Sequence, residues 1–136
     1  MERAESLHSS KSSRWIGLIV SGLPALFLLI DGVMKLFKPA VVVDGTVKLG
    51  YSEGVIVPLG IVLVACTILY LIPVTSVLGA ILITGYLGGA VATHVRIGNP
   101  MLSHALFPVY VGALLWLGLW LRDARLRALL PITTRR

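Results

Sequence analysis

Residues 78–95 read LGAILITGYLGGAVATHV, from Leu78 to Val95, with Arg96 following. No charged residue interrupts the run until His94. A bilayer's hydrocarbon core is about 30 Å thick and takes roughly 20 apolar residues of helix. Inside lipid each backbone amide must bond within its own segment or to a closed sheet, so a lone apolar run is a helix. Its apolar residues are consecutive, whereas those of a barrel strand alternate. Gly79, Gly85, Gly88 and Gly89, with Ala80, Ala90 and Ala92, mark a helix shaped for close packing. Thr93, His94 and Arg96 then bring polar groups to one membrane surface.

Three further runs of this kind flank it. The four spans run from Trp15 to Phe37, Val55 to Ile72, Val74 to Val95 and Met101 to Leu121. With 57% apolar and 13% charged residues in 136 positions, the chain reads as one all-α, polytopic membrane protein, a four-transmembrane-helix bundle. An N-terminal tail (1–14), the transmembrane domain (15–121) and a basic C-terminal tail (122–136) divide the chain, with one outer loop from Lys38 to Gly54. No internal repeat is visible. Proline lacks an amide donor and restricts the residue before it, so Ile72-Pro73-Val74-Thr75 predicts a tight antiparallel hairpin between the second and third spans. Gly98-Asn99-Pro100 breaks the chain before the fourth, where Ser103 can cap. The first run is too long for a cleaved signal peptide and no A-x-A site follows it, so it is expected to stay as a span.

Basic residues set the expected orientation. Arg3, Lys11, Arg14, Arg122, Arg125, Arg127, Arg135 and Arg136 lie in the tails, against Lys35, Lys38, Lys48 and Arg96 on the other side. By the positive-inside rule both termini are cytoplasmic. The net charge of +6 does not point to nucleic acid, because the tails are short and lack the interleaved aromatic residues of a strand-binding groove. They read as topology determinants that also touch anionic lipid. Cys66, the single cysteine, falls in mid-span and reads as a packing residue.

Ionisable groups inside spans are costly, so they mark the first places to look for function. On the first span Gly17, Ser21, Pro24, Leu28, Asp31 and Lys35 recur at spacings of three and four and share one face. Asp31 and Lys35 can pair, either as a boundary ion pair with a snorkelling lysine or as the lining of a ligand or proton site. Glu53, Gly60 and Thr67 repeat every seven positions on the second span, a packing seam with Glu53 at the boundary. On the third, Gly85, Gly89, Ala92 and Arg96 form one narrow stripe, read as a helix-packing surface. Tyr86 and Thr93 lie beside it, while His94 projects nearly opposite, towards either the bundle or lipid. His104 opens the fourth span on the same side of the membrane. Two histidines so far apart in sequence do not match a metal-binding spacing, and no metal is expected. Proton transfer or hydrogen bonding to a ligand carbonyl suits them better, since histidine titrates near neutral pH. Pro108 is expected to kink the fourth span near His104. Trp116 and Trp120, near Arg122, read as an aromatic belt. Asp31, Lys35, Glu53, His94, Arg96 and His104 come from all four spans at the outer side and predict an outward-facing polar vestibule, with Tyr86 and Thr93 as further candidate ligand-binding residues.

The string from Ile83 to Arg96, the Pro73–Gly79 turn, the Asp31-Gly32-Val33-Met34-Lys35 stretch and the Phe107-Pro108 step resemble the DoxX-like membrane proteins. The resemblance covers all four spans, and its most specific part is Thr93-His94-Val95-Arg96. It implies a four-helix membrane bundle, mostly bacterial and hence expected in the cytoplasmic (inner) membrane, with relatives in membrane-associated redox complexes, among them a subunit of a thiosulfate:quinone oxidoreductase. It supports a fold better than an activity. The expectation is a module that binds a hydrophobic small molecule, a quinone or a lipid, through the vestibule. A non-enzymatic scaffold for other membrane proteins, or a homo-oligomer joined through the glycine stripe, is the alternative. A transporter ranks third, because the cytoplasmic halves of the second and third spans offer few polar groups.

Overall fold

A computed structural model describes residues 2–129, with side chains from Lys11 onward; Arg135 and Arg136 of the basic tail lie outside the described residues. Among the described residues there are six α-helices: α1 (Glu2–Phe37), α2 (Ala40–Lys48), α3 (Ile56–Leu71), α4 (Ser76–Arg96), α5 (Phe107–Arg122) and α6 (Ala124–Leu129). Four helical stretches among the described residues are long and apolar enough to cross a membrane: Lys11–Phe37, Glu53–Leu71, Pro73–Arg96 and Met101–Arg122. They match the four apolar runs of the sequence to within a few residues at most ends. An even number of spans puts both chain ends on one side, here called the terminal end. The opposite side, with α2 and the α4–α5 connection, is the loop end.

The four long helices close into a ring, in which α1 and α4 each pack on α3 and α5. Hydrophobic burial gains little between helices in lipid, so close backbone approach carries much of the association. Glycine supplies that approach at three crossings. A Cβ on Gly17 would stand 2.8 Å from the Gly118 carbonyl oxygen, and one on Gly118 only 2.5 Å from Ser21 Cβ, so α1 and α5 meet backbone to backbone. Gly32 and Gly60 do the same for α1 and α3: a Cβ on Gly60 would lie 2.8 Å from the Gly32 carbonyl oxygen. Gly79 backs directly onto the Tyr70 backbone beside the Pro73–Thr75 turn and closes the α3–α4 hairpin. Leu63, Ile83, Leu115 and Leu119 fill the interior between these crossings. Cys66 is buried in the same cluster.

The terminal end also holds a polar knot. Tyr70 donates its hydroxyl to the Leu115 carbonyl at 2.6 Å, and Arg122 stacks its guanidinium 5.3 Å over the Tyr70 ring. Arg122 Nε donates to Ser21 Oγ at 3.2 Å, which donates in turn to the Gly17 carbonyl at 2.7 Å. The α1 face from Gly17 through Ser21, Pro24 and Leu28 is buried, as its spacing predicts.

Three local features differ from expectation. The 38–54 segment is not merely a loop: it contains α2, bounded by Lys38 (φ 52) and Gly50 (φ 90), both left-handed. Met101–Ala105 forms a π-helical turn, and α5 begins only at Phe107. Pro108 therefore sits in the first turn of α5, where its missing amide costs nothing, and it does not kink the helix. Gly85, Gly89 and Ala92 do not pack against another helix of this chain. All three are exposed, and a Cβ on Gly85 or Gly89 would have nothing within 4 Å. The opposite side of α4, with Ala80, Ile83 and Leu87, faces inward instead, because these larger side chains fill the ring's interior where the glycine face would leave a void.

Candidate functional site: a cavity at the loop end

Towards the loop end the ring surrounds an open-sided cavity of about 460 Å³. Every long helix contributes to it, but unequally. From α1 come Phe27, Leu28, Asp31 and Lys35; from α4, Gly85, Tyr86, Leu87, Gly89, Ala90, Thr93 and His94; from α5, Phe107, Pro108 and Val111. α3 gives only Leu59. Thr46 of α2, with Leu49 and Tyr51 just after it, forms a roof. The volume lies in the range of sites that hold small organic ligands, and the mixture of apolar walls with a few polar groups is the usual composition of such sites.

The polar groups are few and mostly paired. Lys35 Nζ donates to Asp31 Oδ2 at 2.5 Å, the i,i+4 pairing that the spacing predicts. Lys35 is the better covered partner, with 15% of its side chain accessible against 40% for Asp31. Thr93 Oγ1 donates to the Gly89 carbonyl at 2.8 Å and lies 2.6 Å from the Tyr51 hydroxyl. With the threonine proton used on Gly89, Tyr51 is the donor of that second bond. Asn99 Nδ2 stands 2.7 Å from His94 Nδ1 and can only donate, which leaves the ring proton of neutral His94 on Nε2. The cavity therefore offers a hydrogen-bond donor at His94, an acceptor at the Tyr51 oxygen and a neutralised ion pair between Asp31 and Lys35.

Of the residues expected at a vestibule, Asp31, Lys35, Tyr86, Thr93 and His94 line this one space. His94 turns inward, which decides its orientation, and Gly85 and Gly89 edge the same cavity from the exposed side. Arg96 and His104 do not line it. Arg96 Nη2 donates to the Leu49 carbonyl at 3.2 Å and ties down the end of the α2 segment. His104, in the exposed π turn, bonds Ser103 and sets its ring edge-on to His94, with centroids 6.1 Å apart. It stands behind the site as a neighbour of His94, because the π turn rotates the start of the fourth span away from the ring's interior. Glu53 is paired with Lys38 at 3.2 Å, outside the cavity. Among the described residues no three His, Cys, Asp or Glu side chains stand close enough to hold a metal ion.

Sequence reasoning missed Tyr51, Thr46 and Leu49, which come from the segment read as a plain loop. A tyrosine next to a glycine just before an apolar run was the available signal. It also missed the Phe27–Phe107 pair, which meets edge to face at 5.6 Å and closes the seam between α1 and α5 at cavity level. Their contact depends on a crossing that spacing within one helix does not reveal.

No curated protein and no solved structure matches the chain. The sequence model described as the DoxX-like family does match, over residues 19–118, from early in the first span to the last turns of the fourth. The matched segment contains every residue that lines the cavity. With four apolar helices in a ring and this match across all of them, the chain is a membrane protein that belongs to the DoxX-like family.

Proposed function

We propose that the protein binds a hydrophobic small molecule, a quinone or a lipid, in the cavity at its loop end and serves as the membrane module of a redox system. The carrying observation is the cavity itself: about 460 Å³ of largely apolar space into which His94, Thr93, Tyr51 and the Asp31–Lys35 pair all converge. Ionisable side chains at membrane depth are retained where they face a cavity or one another, and here they do both. The excess of arginine and lysine at the terminal end supports cytoplasmic termini in a bacterial inner membrane, with the cavity in the outer leaflet. The fragments 1–14 and 122–136 are then cytoplasmic tails around the 15–121 transmembrane domain.

The test is ligand retention. Protein purified in mild detergent and extracted into organic solvent is expected to release a quinone or lipid at near one per chain by mass spectrometry. The His94→Ala, Tyr51→Phe double variant is expected to release far less. A wild-type protein that retains nothing, and whose unfolding temperature does not respond to added ubiquinone or phospholipid, overturns the reading.

One observation favours a second reading, a scaffold for other membrane proteins or a homo-oligomer. Gly85, Gly88 and Ala92 leave a flat, exposed face on α4, the kind of surface that lets another helix approach. Capture from native membranes should then recover a defined partner, and Gly88→Leu should abolish its recovery.

A further inference from the structure

Within the binding reading just proposed, charge and shape restrict what the cavity accepts. Asp31 and Lys35 are the Asp, Glu, Lys or Arg side chains that line it among the described residues, and they neutralise one another at 2.5 Å. Arg96 is engaged with the Leu49 carbonyl and lies outside the lining. An anionic head would enter next to Asp31 with no unpaired cation to meet it, and a cationic head would meet Lys35. In a low-dielectric site either charge is disfavoured unless a partner awaits it. His94, with its proton on Nε2, suits an uncharged head that accepts a hydrogen bond.

The wall is also uneven. α3 and α4 are pinned at the terminal end by Gly79 against the Tyr70 backbone. Near the loop end α3 contributes Leu59 alone, while the α4 edge of the cavity is formed by Gly85 and Gly89, both exposed and both facing open space. Larger residues there would narrow the opening. The absence of side chains leaves a notch through which the interior meets the level of the lipid chains.

We infer that the occupant is an uncharged amphiphile with a single tail: its acceptor head sits by His94, and its tail leaves the ring between α3 and α4 past Gly85 and Gly89. The glycines of α4 are thus a lateral portal. Because nothing surrounds them, larger side chains can be introduced without a clash inside the chain, which makes the portal separable from folding.

The experiment uses the full chain in discs of zwitterionic phospholipid at alkaline pH. Three photoreactive probes carry a diazirine at mid-chain: hexadecanamide, hexadecanoate and a phosphatidylcholine. Hexadecanamide is expected to label cavity and notch residues at least about tenfold more than hexadecanoate, with no cavity labelling by the two-tailed lipid. Gly85→Leu and Gly89→Leu should each cut amide labelling by about tenfold at unchanged unfolding temperature, while Ala92→Leu, on the same face but off the lining, should not. Asp31→Asn leaves Lys35 unpaired and should swing the preference towards hexadecanoate. Equal or better labelling by hexadecanoate in the wild type overturns the uncharged-head assignment. Undiminished labelling in both leucine variants overturns the portal, and phosphatidylcholine in the cavity overturns the single tail. Failure of every probe, together with no ligand retained on purification, instead removes the binding reading on which the inference stands.

Discussion

Two sets of glycines in the bundle do opposite work, and depth alone does not separate them, since Gly32 and Gly60 are packed tightly on the loop side. At the terminal end Gly17, Gly79 and Gly118 each touch another helix's backbone so closely that no Cβ fits. At the loop end Gly85, Gly88 and Gly89 touch nothing. One set closes the ring and the other leaves it open, although residue type, helix and local sequence do not tell them apart. Glycine in a membrane helix is thus a statement about available space, and only the neighbour determines whether that space is filled by protein, ligand or lipid.

The sharpest way to break this contrast is to add a single methyl group at each end. Gly79→Ala places a Cβ inside the Tyr70 backbone, which has no rotamer to yield, and should lower stability by about 3 kcal/mol, the upper range for overpacking. Unfolding in mixed micelles measures it, and an alanine tolerated there would show the hairpin to be looser than its geometry. Gly89→Ala should change stability by less than about 0.5 kcal/mol, the usual limit for an unengaged site. Next in size is Leu115→Ala, which empties a fully buried position in the terminal half and should cost about 2 to 3 kcal/mol. Tyr70→Phe removes the bond to the Leu115 carbonyl and should cost about 1 kcal/mol, in line with hydrogen bonds between membrane helices. Tyr51→Phe, which loses the tie to Thr93 at the loop end, should be milder for folding yet loosen the roof, seen as faster proteolysis between Lys38 and Gly54.

The smallest effect lies just outside the bundle. Asp123 accepts hydrogen bonds from Arg125, which holds its carboxyl below the usual carboxylate range, while Arg125 also reaches the Pro73 carbonyl. A depressed carboxyl stabilises the fold above its unfolded pKa, and that contribution is lost as pH falls from the ordinary range near 4 through the folded value. The pair is partly exposed, so screening keeps the change slight. A slope in unfolding temperature below about pH 4 that vanishes in Asp123→Asn is expected. A slope that persists in the variant assigns the effect to another group.

Much of this architecture was legible from the chain. Four apolar runs of spanning length define the helices, Pro73 and Pro100 mark their ends, and the i, i+3, i+4 recurrence from Gly17 to Lys35 identifies the inner face of α1. The Asp31–Lys35 pair follows from the same spacing. α4 was harder to read because both its faces are apolar or small. In water polarity tells a helix which face to hide, but in lipid the outer face is as apolar as the inner, so Gly85 and Gly89 read as a packing seam when they are in fact exposed. α2 was missed for a related reason: nine residues with little periodicity give no spanning signal, and their place over the cavity is fixed by Arg96 and Tyr51.

The sequence by itself determined that the chain lives in a membrane, crosses it four times and belongs among the DoxX-like proteins, because these depend on hydrophobic length and local spacing along one chain. Which way α4 turns, where the cavity lies and which glycines close or open the ring were decided only by the tertiary structure. Those are properties of how helices far apart in sequence approach one another, and close approach in lipid is governed by shape, which composition does not encode.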